Sequence, residues 1–194
     1  MYRFKYFFSL LIFSLLCFYG CNNTNIKAVD TGAVPTIKPF YLSSPAFNAG
    51  DFIPMLYTCD STNISPALKW NQPLANTASF ALIMDDPDVP TQPWVHWIVY
   101  NIPATDTSLA MHCPMDSVLA NGTKQGFTSF RTTGYGGPCP PDGIHHYYFK
   151  LYAVDTKLNV PAGLTKSQLL SAMKGHILAE ADLTGKYTKK KSEQ

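Results

Sequence analysis

The sequence predicts an all-β domain, an antiparallel β-sandwich, on the strength of three observations. Short runs rich in aromatic and β-branched residues recur at SFALIM (79–84), VHWIVYNI (95–102) and HYYFKLYAV (146–154). Runs of this length and composition are typical of β-strands. Prolines, asparagines and aspartates lie between them, as the turns of an antiparallel sandwich require. Only one stretch, near the C-terminus, has a firmly helical pattern.

That stretch predicts a helix that starts just after Thr165. Thr165 and Gln168, three residues further on, form a capping box, in which each side chain bonds to the backbone of the other residue. The apolar residues that follow on one face are Leu169, Leu170, Met173 and Ile177. We expect Gly175 to end the helix and ILAEADL (177–183) to form a further strand.

The N-terminal segment 1–20 has the pattern of a secretory signal, with two basic residues followed by an apolar stretch at 7–19. That stretch is short for a membrane span, which needs about 20 apolar residues. Gly20 and Cys21 indicate a lipoprotein signal that is cut before Cys21, which is then acylated. The match is imperfect, because Phe18 stands where such signals usually carry leucine. An ordinary thiol after a plain cleavage site is the alternative for Cys21.

The rest of the chain predicts one domain at 40–188, between a tether at 21–39 and a polar tail at 189–194. A length of 194 residues, with 46% apolar and 14% charged residues, is typical of one globular domain. The tether is polar, contains two prolines and has no periodicity.

The net charge and the cysteine content limit which partners and how many disulfides the chain is expected to have. Removal of the signal would leave 13 acidic side chains and an equal number of basic ones, so the exported chain would be formally neutral. A nucleic-acid partner would need a basic face, which this composition does not predict. Cys59, Cys113 and Cys139 allow at most one internal disulfide, and the sequence does not choose the pair.

Two clusters contain the residue types that ligand binding or catalysis would use. DDPDVPTQPWVHWIVYNIP spans 85–103, and GYGGPCPPDGIHHYY spans 134–148. Each is a rigid turn that delivers a histidine to the start of an aromatic strand. Residues two apart in a strand share a face, so His145 and Tyr147 are expected to point together and His146 to point away. Taken singly, such histidines and aspartates are more often structural.

The clusters closely resemble the phosphatidylethanolamine-binding protein family, above all its bacterial branch, often labelled Raf kinase inhibitor-like. The motifs of the resemblance are SPALKW, FALIMDDPDVP, WVHWIVYNIP and GYGGPCPPDGIHHYYFKLYAVD. It implies a β-sandwich with Greek-key connections, a few peripheral helices and an anion pocket at one end. The implied pocket residues are Asp86, His96, Pro141, His145 and Tyr147, and the implied wall residues are Asp88, Pro90, Trp94, Gly136 and Gly137.

Such a pocket would supply the donors that an oxyanion needs. We expect both implied histidines, the tyrosine hydroxyl and backbone N–H groups of the glycine-rich turn to donate. The glycines permit close approach of the backbone, and the prolines stiffen the loop. Asp86 either orients a histidine and raises its pKa or meets the ammonium of an ethanolamine head group. Related proteins often hold the bond equivalent to Val89–Pro90 in cis, which implies a cis bond here.

The predicted function is non-catalytic binding of a small phosphorylated or zwitterionic ligand such as a phosphoethanolamine head group. The protein is expected to be exported to a bacterial envelope and lipid-anchored to a membrane facing the periplasm, with no cofactor, metal or nucleic-acid partner. One alternative is inhibition of an envelope protease or other envelope protein.

Two enzyme alternatives are weaker. Asp86, Asp88, His96 and His145 could hold a metal, but their spacing matches no metalloenzyme motif. Cys139 is the one candidate for a cysteine nucleophile, and there is no G-x-S-x-G elbow for a serine enzyme.

Overall fold

The computed structural model describes residues 39–71 and 75–189. The predicted signal, Cys21 and nearly all of the tether and tail lie outside these residues. Within them the strands are β1 (Leu42–Ser43), β2 (Leu68–Trp70), β3 (Ser79–Asp86), β4 (Trp94–Pro103), β5 (Ser108–Leu109), β6 (Lys124–Gln125), β7 (His145–Val154) and β8 (Ile177–Tyr187). A 3-10 turn spans Met55–Tyr57, and the helix α1 spans Lys166–Met173.

The strands form two sheets in which every pair of neighbours is antiparallel. The larger sheet has the order β6-β4-β3-β7-β8, and the smaller has the order β1-β2-β5. All three strands predicted from their aromatic runs lie side by side at the centre of the larger sheet, and ILAEADL extends it as β8. The predicted all-β class is confirmed.

The larger sheet is buried on both faces. One face packs against the smaller sheet, and the core between them includes Leu68, Trp70, Leu82, Met84, Trp97 and Phe149. The other face packs against α1, with a second core that includes Ile83, Ile98, Tyr100, Leu169 and Met173. Every residue of β3 is buried, which explains why that strand is a continuous apolar run instead of an alternating one.

The helix α1 begins and ends close to the predicted positions. Thr165 is the N-cap, and its capping box with Gln168 is present in both directions. Gly175 follows the helix with a φ of +84°, a left-handed conformation that glycine adopts without a steric penalty. Ile177 therefore belongs to β8, and its assignment to the helix face was wrong.

A disulfide joins Cys59 to Cys139, which are 80 residues apart. It ties the loop after the 3-10 turn to the glycine- and proline-rich loop before β7. Beside it, the backbone N–H of Cys59 donates to the carbonyl of Pro138 at 3.1 Å. Cys113 is the free cysteine of the described residues, and it is buried. None of the helices in residues 39–71 and 75–189 combines the length and apolar character needed to cross a membrane.

Candidate ligand-binding site

The antiparallel pairing of the larger sheet brings the predicted site residues to one end of the sheet. The C-terminal end of β3 lies beside the N-terminal ends of β4 and β7, with Asp86 opposite Trp94. A cavity of about 500 Å³ opens there. Of the ten residues named from the resemblance, the cavity is lined by Asp86, Asp88, Pro90, Trp94, His96, Pro141, His145 and Tyr147. Gly136 and Gly137 are not among the lining residues.

Asp86 is a buried carboxylate that fixes the orientation of His145. Its Oδ2 accepts a hydrogen bond from His145 Nδ1 at 2.7 Å. Its Oδ1 accepts from the backbone N–H of Asp88 at 2.8 Å. Both oxygens are thus engaged, which supports the orienting role and not the alternative, contact with a ligand ammonium. Because Nδ1 of His145 is hydrogen-bonded to Asp86, Nε2 is the ring nitrogen that can bind a ligand in the cavity.

His96 has a different protonation state from the one expected. Its Nδ1 lies 2.6 Å from the carbonyl oxygen of Gly136, which can only accept, so Nδ1 carries the proton. Burial lowers the pKa of His96 below its ordinary value of 6.5, despite the opposite effects of the Gly136 carbonyl and the Asp86 charge. The ring is neutral near pH 7, and its Nε2 is an acceptor. The expectation that His96 donates to an anion is therefore wrong.

Tyr147 supplies the hydroxyl of the site. The side chain is fully buried, and its ring packs edge-on against His96 with centroids 5.1 Å apart. The hydroxyl makes no well-formed hydrogen bond within the described part of the chain, although the Asp86 carboxylate and the Cys139 backbone lie close enough to affect its pKa. Burial, and then the charge of Asp86, raise the pKa of the phenol well above its usual range, so the hydroxyl keeps its proton. It is a donor whose hydrogen bond is not satisfied with good geometry inside the fold.

Gly136 and Gly137 do not provide the free N–H groups that were predicted for the glycine-rich loop. The Gly136 N–H donates to the carbonyl of His96 at 2.9 Å, and the Gly137 N–H donates to Asn63 Oδ1 at 2.8 Å. Both donors are therefore used within the fold. The glycines serve close packing, because a Cβ at Gly137 would collide with the backbone of Tyr57.

A second histidine–aspartate pair joins Asp88 of the cavity lining to His146, which is not part of the lining. His146 points away from His145, as strand alternation predicts, and is half exposed. Its Nδ1 and its backbone N–H both contact Asp88 Oδ2, each at 2.8 Å. Burial raises the pKa of Asp88, but the hydrogen bonds from His146 outweigh it, so the pKa lies below its ordinary value of 3.8.

The turn DDPDVP follows from side-chain hydrogen bonds and not from a cis bond. No cis peptide occurs within residues 39–71 and 75–189, so the Val89–Pro90 bond is trans and the implied cis bond is wrong. The bond from the Asp88 N–H to Asp86 Oδ1 closes an Asx-turn two residues long. This turn contains Pro87 and precedes the trans Val89–Pro90 bond.

Five lining residues were not predicted as part of the pocket, namely Val89, Phe130, Cys139, Pro140 and Asp142, and two of them change its character. Phe130 forms an aromatic wall, with its ring 5.5 Å from that of Trp94 and 5.4 Å from that of His96. Asp142, an exposed residue of the proline-rich loop, adds a third carboxylate to those of Asp86 and Asp88. The lining contains no lysine or arginine. No signal around Phe130 indicated its position, whereas Asp142 lies within the motif that was singled out.

Two observations concern the residues named for the enzyme alternatives. In the ranges 39–71 and 75–189, no three His, Cys, Asp or Glu side chains are placed to share one metal ion. The four residues named for a metal site therefore do not converge on one. Cys139 is bonded to Cys59, so its sulfur is not a thiol nucleophile in this state.

Comparison with known proteins shows the same fold and sequence pattern in other organisms. The family model described as "Phosphatidylethanolamine-binding protein" matches residues 43–188. A UPF0098 protein of Methanothermobacter thermautotrophicus is 47% identical over 146 residues, which cover 75% of this chain and 97% of that protein. A UPF0098 protein of Aquifex aeolicus is 42% identical over 147 residues, covering 74% and 85% of the two chains.

Two crystal structures are also similar. A putative phosphatidylethanolamine-binding protein homologue from Chlamydia trachomatis is 41% identical, with a TM-score of 0.72 over 78% of this chain and 99% of the other. YbcL of E. coli, described as a new member of the mammalian PEBP family, is 34% identical, with a TM-score of 0.73 over 79% of this chain and 100% of the other.

Proposed function

Since the chain belongs to the phosphatidylethanolamine-binding protein family, we propose that its domain binds a small phosphorylated, zwitterionic ligand without turning it over. The observation that carries this proposal is the buried hydroxyl of Tyr147, a residue of the cavity lining, which makes no well-formed hydrogen bond within the described residues. A buried hydroxyl without a partner costs about 1–3 kcal/mol. A ligand oxygen would accept its hydrogen bond.

Three polar side chains at the end of the sheet, those of Tyr147, His145 and His96, are each proposed to make a different hydrogen bond to one oxyanion. Tyr147 donates through its hydroxyl. His145, held by Asp86, presents Nε2 from a fixed ring and donates when the imidazole is protonated. His96 presents an acceptor, which suits a ligand oxygen that carries a proton, as a phosphate monoanion does.

The charge of the lining favours a zwitterion over a simple phosphate. Three carboxylates and no lysine or arginine line the cavity, so a dianion would enter a region of like charge. Asp142 and Asp88 are exposed near the opening and can attract an ammonium group. A phosphoethanolamine head group satisfies both ends, with its phosphate at Tyr147 and its ammonium towards the carboxylates.

Calorimetric titration with phosphoethanolamine tests the proposal. Replacement Tyr147→Phe removes one oxygen atom and keeps the ring packing, so the affinity should fall about tenfold while the fold is kept. Inorganic phosphate should bind the unaltered protein more weakly than phosphoethanolamine. If the unaltered protein binds neither compound, or if Tyr147→Phe binds phosphoethanolamine as well as the parent, the proposed site is wrong.

We also propose that the protein is exported and anchored through a lipid on Cys21. The Gly20–Cys21 junction after an apolar segment supports this part of the proposal. Replacement Cys21→Ser should move the protein from the membrane fraction to the soluble fraction, as measured by ultracentrifugation and immunoblotting. A Cys21→Ser protein that still sediments with membranes would contradict the anchor.

A further inference from the structure

A second group of ligand-type side chains lies away from the cavity described above, in the segment MHCPM (111–115). His112, Cys113 and Met115 all line one cavity of about 310 Å³. This cavity shares no lining residue with the candidate ligand-binding site. A histidine, a free cysteine and a methionine thus line one cavity, and none of the functions considered so far uses them.

The backbone of this segment holds two of the three side chains in place. The N–H of His112 donates to the carbonyl of Ser65 at 3.0 Å, and the N–H of Cys113 donates to Ser65 Oγ at 2.9 Å. His112 has a φ of +59°, a left-handed conformation that is uncommon outside glycine. In an extended strand, neighbouring side chains point to opposite faces. Here the left-handed turn lets His112 and Cys113 line the same cavity.

Met115 is held by contacts with the loop that contains Thr133 and Gly134. Its carbonyl accepts a hydrogen bond from Thr133 Oγ1 at 3.0 Å. Its Sδ packs against Gly134, where a Cβ would collide with it. The residue is nevertheless 53% exposed. Met111 lies outside the lining, and its Sδ is 3.7 Å from the Tyr57 hydroxyl.

Cys113 keeps a free thiol in this arrangement. The other two cysteines of the described residues are joined to each other, so Cys113 has no disulfide partner there. Burial raises the pKa of the thiol to about 11. The thiol is therefore protonated at neutral pH and slow to oxidise, because the thiolate is the reactive form. It remains available as a ligand for a metal that can displace its proton.

We propose that His112, Cys113 and Met115 bind one monovalent copper ion. Thiolate and thioether sulfurs are soft ligands that select Cu(I), and imidazole also suits copper. Zinc takes its ligands from Cys, His, Asp and Glu and is four-coordinate in structural sites. The described residues offer no group of three such side chains, so this cluster is short of ligands for zinc. On binding, the Cys113 thiol releases its proton to solvent and the sulfur bonds to copper, with no change of oxidation state.

Competition for Cu(I) against bathocuproine disulfonate, under argon with ascorbate as the reductant, tests the proposal. Met115→Leu and His112→Asn change accessible side chains, and asparagine tolerates the left-handed backbone at that position. Each should weaken Cu(I) binding at least about tenfold, a loss typical of one ligand or its support. Cys113→Ser should abolish it. Met111→Leu, in the same segment but outside the cavity, is the matched control and should bind as the parent does.

X-ray absorption of the copper-loaded protein should show two sulfur neighbours and one nitrogen neighbour. Near-ultraviolet circular dichroism of each variant reports whether the tertiary structure is retained. Retention of copper by a folded Met115→Leu or His112→Asn protein at the parental affinity overturns the proposal. So does a Met111→Leu variant that loses as much affinity as Met115→Leu. Phosphoethanolamine affinity should be equal in all four variants, because the two cavities are lined by different residues.

Discussion

Two histidine–aspartate pairs stand side by side at the start of β7, and they differ in burial far more than in geometry. The His145–Asp86 contact measures 2.7 Å, and the His146–Asp88 contact measures 2.8 Å. The side chains of the first pair are 12% and 3% exposed, whereas those of the second are 48% and 38% exposed. Water screens an exposed pair and competes for its hydrogen bonds. The same contact is therefore expected to fix a side chain at the site in one case and to contribute little in the other.

The largest expected difference between the two pairs concerns stability. Asp86→Ala leaves the buried His145 Nδ1 and the Asp88 N–H without their acceptor, so the free energy of unfolding should fall by about 3–5 kcal/mol. Asp88→Ala breaks an exposed pair, and the loss should stay below about 1 kcal/mol. Urea unfolding followed by tryptophan fluorescence measures both. Equal losses in the two variants would show that burial does not distinguish the pairs.

The next difference concerns ligand affinity. His145→Ala removes a ring that lines the cavity, and phosphoethanolamine affinity should fall more than about tenfold, since a charge-assisted hydrogen bond is worth roughly 1.5–3 kcal/mol. His146→Ala removes a ring on the opposite face, so affinity should change little. Calorimetric titration of the two variants decides between them. A larger loss for His146→Ala would assign the pocket to the wrong face of β7.

The smallest expected effect is on the pH dependence of stability, which differs between the buried His96 and the exposed Asp88. The pKa of His96 is lowered in the folded protein, so between its folded value and about 6.5 the unfolded chain binds the extra proton. Stability from this residue is complete above about pH 6.5 and is lost as the pH falls below it. The pKa of Asp88 is also lowered, but its contribution is lost only below its ordinary value of 3.8.

Urea unfolding between about pH 5 and 7.5 therefore tests the buried histidine without interference from Asp88. In His96→Asn, the side-chain amide keeps a donor for the Gly136 carbonyl and removes the titrating ring. The free energy of unfolding of this variant should depend less steeply on pH than that of the parent. Parallel curves for the two proteins would contradict the neutral state of His96.

Features that depend on neighbours in the sequence could be predicted. The aromatic runs of β3, β4 and β7, the capping box at Thr165 and the opposite directions of His145 and His146 each follow from a local period or spacing. The small sheet was harder, because β1 and β5 are only two residues long and carry no period of their own. These short segments are strands because of their pairing with β2, which is a contact between residues distant in the sequence.

The chemistry of the site depends on contacts between distant residues, which no local pattern encodes. His96 is neutral because burial lowers its pKa, and its Nε2 is the acceptor because Nδ1 donates to the carbonyl of Gly136, 40 residues away. The Gly137 N–H is used because Asn63, 74 residues away, reaches it. The residue types at the site were predictable from the resemblance, whereas the directions of their hydrogen bonds required the tertiary structure.

The disulfide has a consequence for the order of events in the cell. A cross-link that closes a loop of 80 residues removes entropy from the unfolded chain worth about 4–5 kcal/mol. That is comparable with the whole stability of many domains, which is about 5–15 kcal/mol. If the chain is exported as we propose, it lacks this contribution in a reducing compartment and spends more time unfolded, the form that a secretion channel can thread. Oxidation after such a translocation would then fix the loop beside Pro140 and Pro141 and make unfolding less favourable.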